Sequence, residues 1–264
     1  RVYTKQYPKQ KDRALVGRAI GSLLVKANRL SEASNHYRRV ALEHKSNPTI
    51  SLAAEVRSAK TLERLGRKSD ALTGYKRAVT RSRGVNLAKT SQETIALLAE
   101  ARYKTLAPKL REYKAIRLNV SIAQFERRIR SKTQKLDYLI KQYQAIVDYG
   151  AGEWVVASIH DLAGAYENFA DNLKKVKAPK NLEPELRLQF DRQIATFADN
   201  MDKKALDSYV ACLDRAEEFE VLSKQVSLAR ERVLHLSGDT SRLIFESFHQ
   251  PVYIDDALGQ GRSL

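Results

Sequence analysis

Cysteine is nearly absent. Cys212 alone among 264 residues excludes an internal disulfide framework and any metal site built on several thiolates. A chain this long can bury a core without such staples. Glycine and proline are scarce, at 11 and 6 residues, which argues against a turn-rich all-β fold and for long helices with few breaks. No run approaches the roughly 18 apolar residues of a helical membrane span. The five histidines, His36, His44, His160, His235 and His249, form no His-x3-His pair around a glutamate and no cluster with cysteine. Nothing therefore points to zinc. Phosphate-cradling glycine loops are missing as well, since Gly150, Ala151 and Gly152 make too short a run. His160 and Asp161 are adjacent, and neighbours on a helix point about 100° apart rather than forming a dyad. Asp214, Glu217, Glu218 and Glu220 read as a paired-carboxylate site or, the expected case, as a solvated helix face. No catalytic residue, metal ligand or cofactor is assigned, and the expectation is a non-enzymatic protein.

Acidic residues are short in one half only. Residues 1–90 carry 21 Lys/Arg against 6 Asp/Glu, and residues 91–140 carry 11 against 5. The remaining residues carry 15 against 20, so the net charge of +16 resides entirely in the first half. Such a field favours an anionic partner: an acidic protein segment, nucleic acid or an anionic lipid surface. The opposite signs of the two halves also permit head-to-tail self-association. The chain opens at Arg1 with neither Met nor an apolar signal region, which is compatible with removal of a targeting segment.

Helical periodicity runs through almost everything after residue 12. Leu15, Val16, Ala19, Ile20, Leu23, Leu24 and Ala27 form the stripe of a first helix over 14–27. Asn28 marks a turn and Ser31 a helix N-cap, and Asn47 before Pro48 closes the second helix. A further pair is expected over 51–65 and 68–81, separated by Gly66. Helices follow over 91–106, with Pro108 opening another, then 121–149 and 153–176. One or two helices are expected over 185–219, with a weak point at Asp199 and Asn200, and a last helix over 222–236. Pro251 among Ile244, Phe245, Phe248, Val252, Tyr253 and Ile254 reads as an extended tail over 241–264. Tyr3 and Tyr7 among lysines make residues 1–12 a basic arm. The fold class is all-α. The organisation reads as that arm, basic helix pairs over 13–118, longer helices over 119–240 and the tail.

A repeat underlies these helices. Ala33 and Ala71 stand 38 residues apart, each followed after four residues by tyrosine (Tyr37, Tyr75) and then by Val40 and Ala78. Twelve residues earlier stand the small Gly21 and Ala59, with Asn28 and Gly66 at the intervening turns. Ala205, Tyr209 and Cys212 match the second half of this unit, and Leu162, Ala163 and Tyr166 match the first. Cys212 takes the small position, a packing role rather than a nucleophilic one. A plain helical bundle is the alternative use of these residues. The pattern resembles the tetratricopeptide repeat, a helix pair that stacks into an α-solenoid with a concave groove. Residues 136–236 are similar to the large tetratricopeptide proteins of bacterial envelopes linked to adventurous gliding motility. The likeness is carried by Glu153, Trp154 and Val155, by Leu162 through Ala170, by Pro179 and by Lys204 through Tyr209. Ala163 departs from it, standing where glycine is usual. This second resemblance implies a periplasmic scaffold working beside envelope partners, with a cytoplasmic location as the alternative.

The resemblance also implies which residues face the groove: Arg18, Ser22, Val25 and Lys26 in the first unit, and Val56, Lys60, Glu63 and Arg64 in the second, with Arg57 beside them. Arg18, Lys26, Arg57, Lys60 and Arg64 would hold carboxylates by charge-assisted hydrogen bonds, with Ser22 among them. Ser22 and Lys60 occupy positions where carboxylate-binding grooves of this family carry asparagine. An acidic helix or extended segment is therefore the expected ligand rather than a chain terminus. The alternative function is nucleic-acid binding through the basic half, with affinity falling steeply with salt.

Overall fold

The computed structural model describes residues 13–86, 89–179 and 181–237. Among these there are nine helices and no strand: α1 (Arg13–Lys26), α2 (Leu30–Glu43), α3 (Pro48–Arg64), α4 (Lys68–Ser82), α5 (Gln92–Lys114), α6 (Ile122–Val147), α7 (Gly152–Leu173), α8 (Pro184–Glu218) and α9 (Lys224–Ser237). The basic arm over 1–12 and the tail over 241–264 lie outside the described residues.

Local chemistry sets the helix ends. The Asn47 side chain accepts the Ile50 amide at 3.2 Å, with Pro48 in the first turn, so α3 starts on a capped, preset backbone. Ser91 accepts the Thr94 amide in the same way at the start of α5. Asn28 and Gly66, at equivalent places in two successive hairpins, both adopt left-handed backbone (φ 56° and 77°), which glycine and asparagine tolerate best. Three expectations fail. The cap of α2 is not Ser31, because the helix starts one residue earlier at Leu30, with Arg29 in the N-cap position. Pro108 does not open a helix but lies inside α5, where buried Leu106, Leu110 and Tyr113 hold the segment against its neighbours despite the lost hydrogen bond. Asp199 and Asn200 do not interrupt α8, a single 35-residue helix pinned by buried Ala198, Met201 and Ala205.

Each helix packs on the next. The odd-numbered helices also pack on one another in order, α1 on α3, α3 on α5, α5 on α7 and α7 on α9. Of the even-numbered helices, α6 and α8 meet edge-on through Phe125 and Phe190, and among the described residues no even pair packs as extensively as α3 on α5. The result is one continuous row of odd helices with the even ones behind. Small residues make the close approaches. A methyl group on Gly21 would sit 2.3 Å from the Tyr37 ring, and Ala59, Ala71, Tyr75 and Ala78 share one buried cluster across α3 and α4. The two half-matches in the sequence turn out to be partners. Ala163 of α7 lies in one cluster with Ala205, Tyr209 and Cys212 of α8. The Cys212 thiol points at the Val156 carbonyl oxygen (3.5 Å), and burial pushes it up to about 12. It is a packed group rather than a reactive one. The largest cluster joins α5, α6, α7 and the first half of α8 around Tyr113, Leu139, Tyr143, Ile146, Phe169 and Leu173.

Candidate protein-binding face

The row of odd helices carries most of the residues expected to line a groove. Arg18 leaves α1 and Arg57 leaves α3, and both reach one carboxylate, Glu93 in the first turn of α5. Arg18 Nη1 donates to Oε2 and Arg57 Nη2 to Oε1, each at 2.5 Å. α1 and α5 stand on either side of α3 in the packing order, yet their side chains meet with that of α3. The three helices therefore share one face at this point. Further along, Lys60 of α3 donates to Glu100 of α5 at 2.7 Å, and Lys104 of α5 donates to Glu63 of α3 at 2.9 Å.

These acids behave differently. Burial raises Glu100 above the ordinary carboxylate range although Lys60 pulls the other way. Burial also pushes Glu63 upward, but hydrogen bonds from Lys104 and from the Tyr75 hydroxyl (2.8 Å) outweigh it and leave Glu63 below that range.

Of the expected groove residues, the structure brings Arg18, Arg57 and Lys60 together on α5 carboxylates. Ser22 is exposed and lies 3.3 Å from the Tyr37 hydroxyl. Lys26 and Arg64 are exposed, and neither takes part in an ion pair among the described residues. Val56 does not line a groove: it is fully buried in the cluster between α3, α4 and α5, because its position on the helix faces inward. Val25 is half-buried.

Sequence reasoning missed Glu93, Glu100 and Lys104. Glu93 and Glu100 stand two turns apart on one helix, a spacing visible in the sequence. Their link to cations 36 to 75 residues away was not visible, since it depends on which helices stack.

The arrangement recurs further along the row. Tyr209 of α8 donates to Glu167 of α7 at 2.9 Å, as Tyr75 of α4 donates to Glu63 of α3. Glu167 is also paired with Arg232 of α9, as Glu63 is with Lys104 of α5. In both places an even-helix tyrosine, an odd-helix glutamate and a cation from the next odd helix form a chain. Cations at Lys26, Arg64 and Lys104, each five residues after a small position on consecutive odd helices, add a repeated basic position. Spare guanidinium and ammonium donors on this face suit carboxylates or phosphates.

Among the described residues no group of three or more His, Cys, Asp or Glu side chains could hold a metal ion, and no helix is long and apolar enough to cross a membrane. Compared with protein-family models, curated proteins and solved structures, the chain matches none.

Proposed function

We propose that this chain is a non-enzymatic scaffold of the tetratricopeptide type, an α-solenoid whose basic odd-helix face binds an acidic segment of a protein partner. The observation that carries the reading is the meeting of Arg18, Arg57 and Glu93 over α3. Cations from successive odd helices converge on a carboxylate there, which is the chemistry a bound acidic segment would offer. The stacking of odd helices on one another, with even helices behind, supports the solenoid part of the proposal. On the resemblance of residues 136–236, we place the scaffold in a bacterial envelope, beside partners of a motility complex.

The test is affinity capture from source cells, nuclease-treated and untreated, with the wild type beside a Lys26→Glu/Arg64→Glu variant. Those two side chains are exposed and unpaired among the described residues, so their reversal leaves internal ion pairs intact. One protein partner that survives nuclease and is lost with the variant is the expected result. A catch that disappears with nuclease overturns the proposal in favour of nucleic acid. Fractionation of the same cells checks the envelope location.

A further inference from the structure

Glu93 occupies the place where a partner's carboxylate would sit. It stands on the odd-helix face with its side chain 54% exposed, and its two oxygens accept from arginines of two other helices. Arg57 is the more enclosed of the two, its side chain 16% exposed, and Glu93 is the one acid paired with it among the described residues. The nearby Lys26 and Arg64, on α1 and α3, are exposed and have no ion-pair partner among the described residues. A segment running across α1 and α3 therefore meets two open cations at one level and two occupied ones at the other.

We propose that Glu93 is an internal competitor: the Arg18 and Arg57 site accepts a glutamate or aspartate of an acidic peptide, and Glu93 must yield it. This rests on the scaffold reading above and adds to it a named subsite and the residue that guards it. The mechanism is electrostatic. While Glu93 is seated, an incoming carboxylate meets a like charge beside two partly neutralised guanidinium groups. Once Glu93 swings away or loses its charge, both guanidinium forks are open, and five donors on each fit a carboxylate in the bidentate manner. Exposed ion pairs are weak enough to exchange with a competing ligand.

The probe is a fluorescein-labelled, end-capped deca-glutamate peptide, with a ten-residue oligothymidylate beside it, read by fluorescence anisotropy at one fixed ionic strength. Glu93→Gln is expected to tighten peptide binding by about fivefold, the upper range for an exposed ion pair. Arg18→Gln is expected to weaken it. Glu126→Gln, on the even helix α6 with its side chain 81% exposed, raises the net charge equally and is expected to leave affinity unchanged. Circular dichroism confirms that each variant is folded. If Glu126→Gln tightens binding as much as Glu93→Gln, the effect is bulk charge and the competitor role is overturned. If the wild type binds the peptide and Glu93→Gln changes nothing, the competitor role falls while the scaffold reading stands. If neither protein binds the peptide, or only the oligonucleotide responds to Glu93→Gln, both fall.

Discussion

The seams at α3, α4 and α5 and at α7, α8 and α9, and the seam that lies between them, solve one problem with different chemistry. Where α3, α4 and α5 meet, and again where α7, α8 and α9 meet, a tyrosine, a glutamate and a cation from three helices are joined in line. In the middle, where α5, α6 and α7 meet, Tyr103 of α5 and Tyr143 of α6 both donate to Asp161 of α7, at 2.8 and 3.3 Å. Among the described residues no lysine or arginine pairs with Asp161, whose other carboxylate oxygen lies 3.6 Å from His160 Nδ1. The positive charge of this seam lies elsewhere, on Lys132 of α6, which is fully buried. Its ammonium donates to the Asn168 side chain (2.8 Å) and to the carbonyls of Ile116 (3.1 Å) and Tyr113 (3.4 Å), and stands 4.2 Å from the centre of the Tyr113 ring. It caps the end of α5 from a neighbouring helix and has no carboxylate. Tyr103 also meets the Trp154 ring in this seam, and Phe169 of α7 meets Phe197 of α8 beside it. The two outer seams thus each carry a chain of tyrosine, glutamate and cation, whereas the seam between them ties α5 to α6 through the exposed Lys135–Glu112 pair and buries a lysine that has no carboxylate partner among the described residues.

Lys132 gives the largest expected difference between these seams. Burial, with Lys114 nearby, pushes it down to about 8, whereas in the unfolded chain it keeps its proton to 10.5. Between those values the unfolded state binds the extra proton, so raising pH through that window stabilises the fold, by up to about 3 kcal/mol. Tyr75, Tyr103, Tyr113 and Tyr143 are all held above the ordinary tyrosine value, chiefly by burial, and they reverse the trend at higher pH. Urea midpoints should rise from pH about 7 to pH about 9.5 in the wild type, and Lys132→Met should flatten that rise. A flat wild-type profile would remove Lys132 from the account of the middle seam.

The next contrast lies between the first hairpin and the α7/α8 hairpin. Gly21→Ala forces a methyl group into the Tyr37 ring and should cost about 1–3 kcal/mol. Gly164→Ala meets its nearest atom, the Tyr209 hydroxyl, at 3.5 Å, an ordinary contact. It should be neutral or gain up to about 1 kcal/mol from helix propensity. Thermal unfolding of the pair measures both, and equal effects would mean that the two hairpins are packed alike.

The smallest effect tests the likeness of the α3/α4/α5 and α7/α8/α9 seams. Glu63→Gln and Glu167→Gln should each cost about 1–2 kcal/mol, by weakening charge-assisted hydrogen bonds at equivalent places. Chemical denaturation that moves for one and not the other would break the equivalence.

Much of this was legible in the residues. The 3.6-residue stripes placed the helices, and Asn28 and Gly66 placed two turns, because both signals are local. The small and aromatic positions found the halves of the α7/α8 hairpin, although nothing in the sequence said that they belonged together. Pro108 misled because its local cost is overruled by the burial of Leu106, Leu110 and Tyr113 around it. The groove cations were legible as residue types, and Arg18, Arg57 and Lys60 do share one face. Their acids were not, since Glu93 and Glu100 reach them only through stacking. Nothing in the sequence separates Lys132 from the other lysines of an amphipathic helix; only the depth of the α5, α6 and α7 packing turns it inward.

The bridge from Arg18 to Glu93 spans α3, and that makes it a mechanical part. α3 is the fulcrum, and the bridge is a drawstring that limits how far α1 and α5 can spread. An exposed tie of this kind slackens as salt shortens the reach of charge, to about 8 Å at physiological ionic strength and about 3 Å at molar salt. Salt therefore loosens the tie between α1 and α5, while the apolar cluster that holds α3, α4 and α5 together depends on it far less.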